Sequence, residues 1–261
     1  MKSIAIYNHK GGVGKTSFTA AIAGELMLMK KKVLMIDADS QANLTNQFLV
    51  SKDLDREFAD YLFADKTTQP EILQKVIKKT EYPNLFIMPT KKPSSEGGRL
   101  VSWTSTEASN IVNQKVITKL LVYLAQIGFD YVLFDMPPSD GNFDKMILSA
   151  CDEILPVLKI EKDSIEGLKD FYIGVNELRE IRDEDQKPIV NKLVFNMRNK
   201  TQKTQNDLIP GIEALPSDKY IFPQESAIEV AKREKCLIQE YKIKKETKEL
   251  LKTLTEKLME N

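Results

Sequence analysis

Residues 10–16 read KGGVGKT, directly after the apolar run IAIY at residues 4–7 and directly before a helical pattern. Glycines let successive backbone N–H groups turn inward around phosphate oxygens, and the helix that follows presents its unpaired N-terminal donors to the same place. In loops of this kind the lysine adds a positive charge and the following hydroxyl binds magnesium. The order strand, glycine-rich loop, helix therefore predicts a nucleotide-phosphate cradle. Its expected members are Lys10, Gly11, Gly12, Val13, Gly14, Lys15, Thr16 and Ser17.

Composition limits the classes of protein that fit. The 261 residues can bury a sizeable core, and Lys+Arg and Asp+Glu are 38 each, so any surface for a polyanion must come from local clustering of charge. Cys151 and Cys236 are far apart and belong to no C-x-x-C pair, which argues against a zinc site or a disulfide framework.

The strand pattern begins by Ser3, which leaves no room for a signal peptide, and no apolar run reaches membrane-spanning length. We therefore expect a cytoplasmic protein. No internal repeat or Pro/Gly/Ser-rich linker divides the sequence, so we expect residues 1–261 to form a single domain.

Six continuously apolar runs alternate with amphipathic stretches along the chain. Continuous hydrophobicity indicates strands that are covered on both faces, so the fold class predicted is α/β, a doubly wound, mainly parallel sheet with helices on both faces. The runs lie at residues 4–7, 33–36, 85–88, 131–134, 154–158 and 189–195.

The least regular region covers roughly residues 90–110. Lysines, serines and glycines, Ser94 and Ser95 among them, predict a polar loop here, and Trp103 lies just beyond it. For Trp103 we favour a role in packing over a role in contact with a ligand.

Two strand-like runs end in acids, as hydrolysis at a phosphate cradle requires. Residues 33–36 lead into Asp37 and Asp39, and residues 131–134 lead into Asp135. The carboxyl ends of parallel strands meet at one edge of the sheet, so these acids are expected beside the cradle. Asp135 has the pattern of an acid that holds magnesium, although an aspartate before Pro137 and Pro138 can also simply begin a turn.

Three segments in this order resemble the ParA/MinD family of deviant Walker-A P-loop ATPases: KGGVGKT, DADSQANLT at residues 37–45 (switch I) and FDMPPS at residues 134–139 (Walker B and switch II). The resemblance implies ATP and Mg2+ as cofactors, catalytic roles for Lys10, Lys15 and Asp39, and Thr16, Asp39 and Asp135 at the metal. It implies that Asp39 positions the attacking water while Asp37 supports the loop.

The same resemblance implies a homodimer that sandwiches two ATP molecules, with Lys10 reaching across to the nucleotide of the partner. Asn196, at the end of a strand, and Pro223 resemble the elements that flank adenine in this family. A strand-end asparagine is also a common turn former.

Within the family, the chain resembles the shorter ParA-type (Soj-like) DNA-partition ATPases, which lack an N-terminal helix-turn-helix domain. That implies nonspecific DNA and a ParB-like centromere-binding protein as partners, and association with the nucleoid. Contacts with DNA phosphates need basic side chains. Glutamates lie between the C-terminal lysines at spacings that suit i,i+4 ion pairs, so an ordinary solvated helix surface is the alternative interpretation. The candidate DNA-binding residues are Arg198, Lys200, Lys203, Lys232, Arg233, Lys242 and Lys245.

The alternative is a MinD-like positioning ATPase that attaches to membranes through its C-terminal helix. Leu250, Leu251, Leu254 and Leu258 form an apolar stripe, but the tail has no Trp or Phe and carries several glutamates. We therefore favour a helix packed on its own domain and regard membrane binding as the weaker hypothesis. Relatives that carry an iron–sulfur cluster do not fit, because Met136-Pro137-Pro138-Ser139 holds no cysteine to ligate one.

Overall fold

A computed structural model describes residues 1–49, 54–93, 97–110, 113–182 and 188–260. Eight strands form a single sheet in the order β3-β4-β2-β5-β1-β6-β7-β8, parallel throughout except for β3, which pairs antiparallel with β4. The strands are β1 (Lys2–Tyr7), β2 (Val33–Asp37), β3 (Lys78–Lys79), β4 (Leu85–Met88), β5 (Tyr131–Asp135), β6 (Glu153–Lys159), β7 (Lys192–Arg198) and β8 (Asp218–Pro223).

Helices cover both faces of the sheet, which confirms the predicted doubly wound α/β fold. They are α1 (Lys15–Leu28), α2 (Asn43–Phe48), α3 (Phe58–Phe63), α4 (Gln69–Val76), α5 (Leu100–Thr106), α6 (Val116–Gln126), α7 (Asn142–Ala150), α8 (Lys162–Glu166), α9 (Leu168–Arg182), α10 (Lys203–Glu213), α11 (Ser226–Arg233) and α12 (Lys245–Met259), with a short 3-10 helix at Ile238–Glu240.

The central strand β1 shows why the apolar runs are continuous. Ile4 and Ile6 face the core that includes α1 and α12, whereas Ala5 and Tyr7 face the core on the side of α6 and α7. A strand with a core on each side has no solvent face and needs no polar alternation. The sheet order also reverses around β1, and ligands of open α/β sheets bind at such a switch point.

The region around residues 90–110 differs from the polar loop that the sequence predicts. It contains the helix α5, and Trp103 on that helix is 1% exposed. Its indole N–H donates to the Leu62 carbonyl at 3.2 Å, and its ring meets Phe143 edge to face. The packing role expected for Trp103 is confirmed. Ser94 and Ser95 lie outside the described residues.

The C-terminal helix α12 packs on the sheet, as favoured from its sequence. Leu251, Leu254 and Leu258 are at most 2% exposed and belong to the core shared with α1. None of the helices in the described ranges combines the length and apolar character that crossing a bilayer requires.

Candidate functional site

The predicted phosphate loop joins β1 to α1 and takes a conformation that only glycine adopts freely at two positions. Gly12 and Gly14 have φ of 68° and 106°. A Cβ on Gly14 would also lie 2.5 Å from Nδ2 of Asn196. Within the described chain no side chain caps the start of α1, so the first N–H groups of this helix are free to meet an anion.

Asn8 fixes the entry to this loop. Its Oδ1 accepts a hydrogen bond from the Lys10 N–H at 2.8 Å, and its Nδ2 donates to the Val157 carbonyl of β6 at 2.7 Å. The sequence analysis did not single out Asn8. Its position directly after β1 and before the glycines was the available signal.

Lys15 is held inside the loop that it is expected to serve. Its ammonium donates to the carbonyls of Asn8 at 2.9 Å and Lys10 at 3.1 Å, and the residue is 7% exposed. Burial lowers the pKa of Lys15, while Asp135 and Asp39 act in the opposite direction. The charge is thus aimed at the cradle and its position is set before any ligand arrives.

Asp37 and Asp135 lie side by side at the ends of β2 and β5, where the register pairs them directly. Asp37 is fully buried, and its Oδ2 accepts the N–H of Thr45 at 2.8 Å and the hydroxyl of Thr45 at 2.7 Å. Its Oδ1 accepts the Asp39 N–H at 3.3 Å. These contacts hold the turn that carries Asp39, which agrees with the supporting role expected for Asp37.

Asp135 is 1% exposed, and burial raises its pKa to about 7. The neighbouring Asp39 acts in the same direction, while Thr16, Thr19 and Lys15 favour the charged form. Thr19 approaches Oδ1 at 3.4 Å, but Oδ2 is buried and has no hydrogen-bond partner among the described residues. A buried carboxylate oxygen without a partner is costly and marks a place where a cation would be stabilising.

The residues around this oxygen fit Mg2+. Thr16 and Asp39 line the cleft above Asp135, and Mg2+ is typically bound through one or two carboxylates, water and substrate phosphates. The described residues hold no cluster of three His, Cys, Asp or Glu side chains that could form a complete protein cage. Thr16, Asp39 and Asp135 are therefore the residues that would hold the ion, which would neutralise charge on phosphate oxygens.

The cleft above the loop has a volume of about 960 Å³. One wall is the phosphate loop with Asp39 and Pro138, and the other follows β7 and β8. It contains most of the residues predicted to bind nucleotide, namely Gly11, Gly12, Val13, Gly14, Lys15, Thr16, Ser17, Asn196 and Pro223.

Asn196 also has a structural task at this site. Its Nδ2 donates to the Val13 carbonyl at 2.9 Å, and its Oδ1 accepts the N–H of Met197 at 2.8 Å. The residue is 3% exposed. It joins the end of β7 to the phosphate loop, so a change here would disturb the cradle before it disturbed any contact with a base.

Lys10 is not among the residues that line this cleft in the described chain. It borders a small cavity between β6 and α8, with Tyr7 and Asp163. The Lys10 carbonyl still accepts a hydrogen bond from the Lys15 ammonium, so the backbone of Lys10 belongs to the phosphate loop although the residue does not line the cleft above it.

The candidate DNA-binding residues lie around β7, α11 and α12, and several of them have acidic partners. Lys200 pairs with Glu246, Arg233 with Glu234 and Lys245 with Glu249. Arg198 is half-buried and hydrogen-bonds to Asn206. Among the described residues no acid pairs with Lys203, Lys232 or Lys242, which are exposed.

Taken together, a glycine cradle between a strand and a helix, a buried lysine and two strand-end acids define a P-loop nucleotide-binding protein. A family model described as an AAA domain (AAA_31) matches residues 1–188. The chain belongs to this family, and this match together with its relatives identifies it as a ParA/MinD P-loop ATPase.

Relatives agree with that assignment. The uncharacterised protein BBD21 of Borreliella burgdorferi is 28% identical over 229 residues, 87% of each chain. The sporulation initiation inhibitor protein Soj of Bacillus subtilis is 29% identical over 64% of this chain and 62% of its own length. The chromosome-partitioning ATPase Soj of Treponema pallidum is 28% identical over 64% and 60%. The matches thus span about three fifths of the two Soj proteins.

Solved structures share the fold. An ATP complex of a McdA variant from Cyanothece superposes with a TM-score of 0.82 at 18% identity, over 99% of this chain and 96% of that one. The septum site-determining protein MinD of Pyrococcus horikoshii, solved with Mg-ADP, gives a TM-score of 0.74 at 19% identity over 99% and 96%.

Proposed function

We propose that this chain is an ATP-dependent DNA partition ATPase, formed as one domain over residues 1–261. The observation that carries the ATPase part is that Lys15 and Asp39 line the cleft and Asp135 lies close enough to act on the Lys15 charge, with one carboxylate oxygen of Asp135 buried and unpartnered among the described residues. The partition part is supported by the relatives named as chromosome-partitioning proteins.

In this proposal each side chain has a defined task. Loop N–H groups and Lys15 would hold the β- and γ-phosphates, and Thr16, Asp39 and Asp135 would hold Mg2+. Asp39, on a turn fixed by Asp37, orients the attacking water. Such groups act by position and electrostatics, because phosphoryl transfer leaves little covalent work to the protein.

We further propose that the ATP-bound form is a sandwich dimer in which Lys10 serves the nucleotide of the partner. The position of Lys10 outside the lining of its own cleft supports this role. The dimer would bind nonspecific DNA in the nucleoid, and a ParB-like protein would stimulate hydrolysis and release.

The MinD-like alternative requires the leucine stripe of α12 to be available to lipid. Leu254 and Leu258 are 0% exposed and packed in the core, so this alternative loses the feature that suggested it. The likeness to MinD is one of fold.

The experiment that tests the proposal compares binding to nonspecific DNA with binding to anionic vesicles, with and without ATP and Mg2+, at two salt concentrations. We expect DNA binding only with ATP, and weaker binding at the higher salt concentration because phosphate contacts release counterions. The Lys15→Ala variant, which should not bind nucleotide, is the control. ATP-dependent vesicle binding without DNA binding would contradict the proposal.

A further inference from the structure

Ser139, the last residue of FDMPPS, is held from two directions. Its hydroxyl donates to Oδ2 of Asp144 at 2.7 Å, and its carbonyl accepts a hydrogen bond from the Tyr7 hydroxyl at 3.1 Å. Asp144 lies in the first turn of α7, and Tyr7 ends β1, directly before the phosphate loop. Ser139 therefore ties the loop after β5 both to the helix that follows it and to the strand that enters the cradle.

Asp144 is buried more deeply than a helix cap requires. Its Oδ2 also accepts the Gly141 N–H at 2.7 Å, which closes the start of α7. The residue is nevertheless 2% exposed, and its Oδ1 is buried without a hydrogen-bond partner in the described chain. Burying a carboxylate in this way costs free energy, and an exposed acid would cap the helix as well. The burial indicates a second task, and the bond to Ser139 supplies one.

Ser139 directly follows a residue that lines one wall of the cleft. Pro138 lines the cleft, and its Cβ lies 3.9 Å from where a Cβ on Gly11 would be. The negative charge of Asp144 also acts on Lys15. Because the loop from Asp135 to Ser139 is short, a shift of Ser139 moves Pro138 relative to the phosphates that the cradle would hold.

We propose that Asp144 is a positioning residue for ATP hydrolysis, which holds Ser139, and with it Pro138, at a fixed distance from the phosphate loop. Tyr7 holds the same residue from the side of β1. This inference rests on the proposed ATPase function and adds to it a residue that the sequence motifs do not contain.

The simpler interpretation is that Asp144 only caps α7. The Ser139→Ala variant distinguishes this interpretation from the positioning role. That variant removes the bond to Asp144 but leaves the Gly141 cap intact, and Ser139→Thr keeps a hydroxyl at the same place. Asp144→Asn weakens both contacts. The matched control is Ser105→Ala on the neighbouring α5, where the hydroxyl donates to the Val101 carbonyl of its own helix.

We would measure kcat, KM and the affinity for a fluorescent ATP analogue in the full chain. For Ser139→Ala and Asp144→Asn we expect kcat to fall by about 10- to 100-fold, since small displacements of reacting groups have effects of this order. The analogue affinity should stay within about twofold. Ser139→Thr should restore most of the rate, and Ser105→Ala should leave it unchanged.

Hydrogen exchange gives a second readout that needs no turnover. Ser139→Ala should raise exchange at the Met136 amide, which donates to the Ile6 carbonyl, while α7 remains protected. The emission of Trp103, the single tryptophan, should stay the same because its ring contacts Phe143 on α7. Wild-type kcat together with wild-type exchange in Ser139→Ala would overturn the inference. If the wild type itself hydrolyses no ATP, the proposed function fails, and unchanged exchange in Ser139→Ala would then overturn the positioning role separately.

Discussion

At the scale of single residues, the site combines groups that stabilise a ligand with groups that destabilise the empty protein. Asp37 and Asp135 are neighbouring buried acids, and burial raises the pKa of both. At a pH between the ordinary carboxyl pKa and the raised one, the folded protein keeps a proton on the carboxyl group that the unfolded chain has already released. Stability from this source is present at low pH and is lost as the pH rises toward the folded pKa.

Asp135→Asn should therefore stabilise the nucleotide-free protein. With a pKa of about 7 for Asp135, the penalty for ionising this buried group grows from about pH 4 to about pH 7, so the gain should be larger at pH 8 than at pH 5 by about 2–3 kcal/mol. Urea unfolding in EDTA at both pH values measures it. The same variant should lose Mg2+-dependent ATP turnover. A loss of stability at pH 8 would show that the buried Asp135 carboxylate does not destabilise the nucleotide-free protein.

Lys10 provides a second test at this scale. Mixing Lys10→Ala with Asp39→Ala subunits gives a dimer in which one site has its own Asp39 and the partner's intact lysine. If Lys10 acts across the interface, this mixture should regain turnover that neither variant has alone. The ATPase rate against mixing ratio measures it. A mixture as inactive as its components would assign Lys10 to its own nucleotide.

At the scale of elements, the clearest prediction concerns α12. Leu254 is 0% exposed in the core with α1, so Leu254→Ala should lower the free energy of unfolding by about 2–5 kcal/mol. Thr253→Ala, on the exposed side of the same helix, is the matched control and should change it little. Chemical denaturation of both variants measures the two free energies of unfolding. Equal, small effects would mean that α12 is not anchored in the core.

The elements also show what the sequence can and cannot predict. Strands such as β1 and β5, buried on both faces, give apolar runs that their sequences reveal directly, and each predicted strand has a counterpart. The helix α5 did not stand out, because it is short and its burial rests on Leu100 and Trp103. The two-residue β3 carries two lysines and is defined only by pairing with β4.

The residues of the site likewise divide into those that the sequence predicts and those that it does not. Lys15, Asp39 and Asp135 could be predicted, because each belongs to a motif that follows a strand. Tyr7 and Asp144 could not, because their roles depend on contacts with Ser139 across 132 and 5 residues. Thr45 and Thr90, which complete the hydrogen bonding around Asp37, likewise meet only in the folded chain.

At the scale of the whole molecule, the candidate DNA-binding residues fall into two groups. Arg198, Lys200 and Lys232 line the nucleotide cleft together with Asp39, whereas Lys203 and Lys242 do not line it and lie near the β7–β8 edge, Lys203 at the start of α10 and Lys242 before α12. A lysine already paired with a glutamate gains less free energy from contact with a DNA phosphate than an unpaired lysine does. Free lysines at this edge are thus the stronger candidates for DNA contact.

Lys203→Ala and Lys242→Ala should each weaken ATP-dependent DNA binding equally for all sequences. Each should reduce the magnitude of the negative slope of log affinity against log salt concentration by about 0.9 if it removes one phosphate contact. Lys66→Ala, an exposed lysine between α3 and α4, is the control. Fluorescence anisotropy with duplexes of unrelated sequence gives the slopes. Slopes equal to wild type in both variants would show that neither lysine contacts DNA phosphates.

The central claim is that ATP closes two copies of this chain over their nucleotides. Sedimentation of the Asp39→Ala variant tests it most directly, since this variant should bind ATP without hydrolysing it. We predict a stable dimer with ATP and Mg2+, and a monomer with ADP or with Lys15→Ala. An Asp39→Ala protein that binds ATP and yet sediments as a monomer at every concentration would contradict the account.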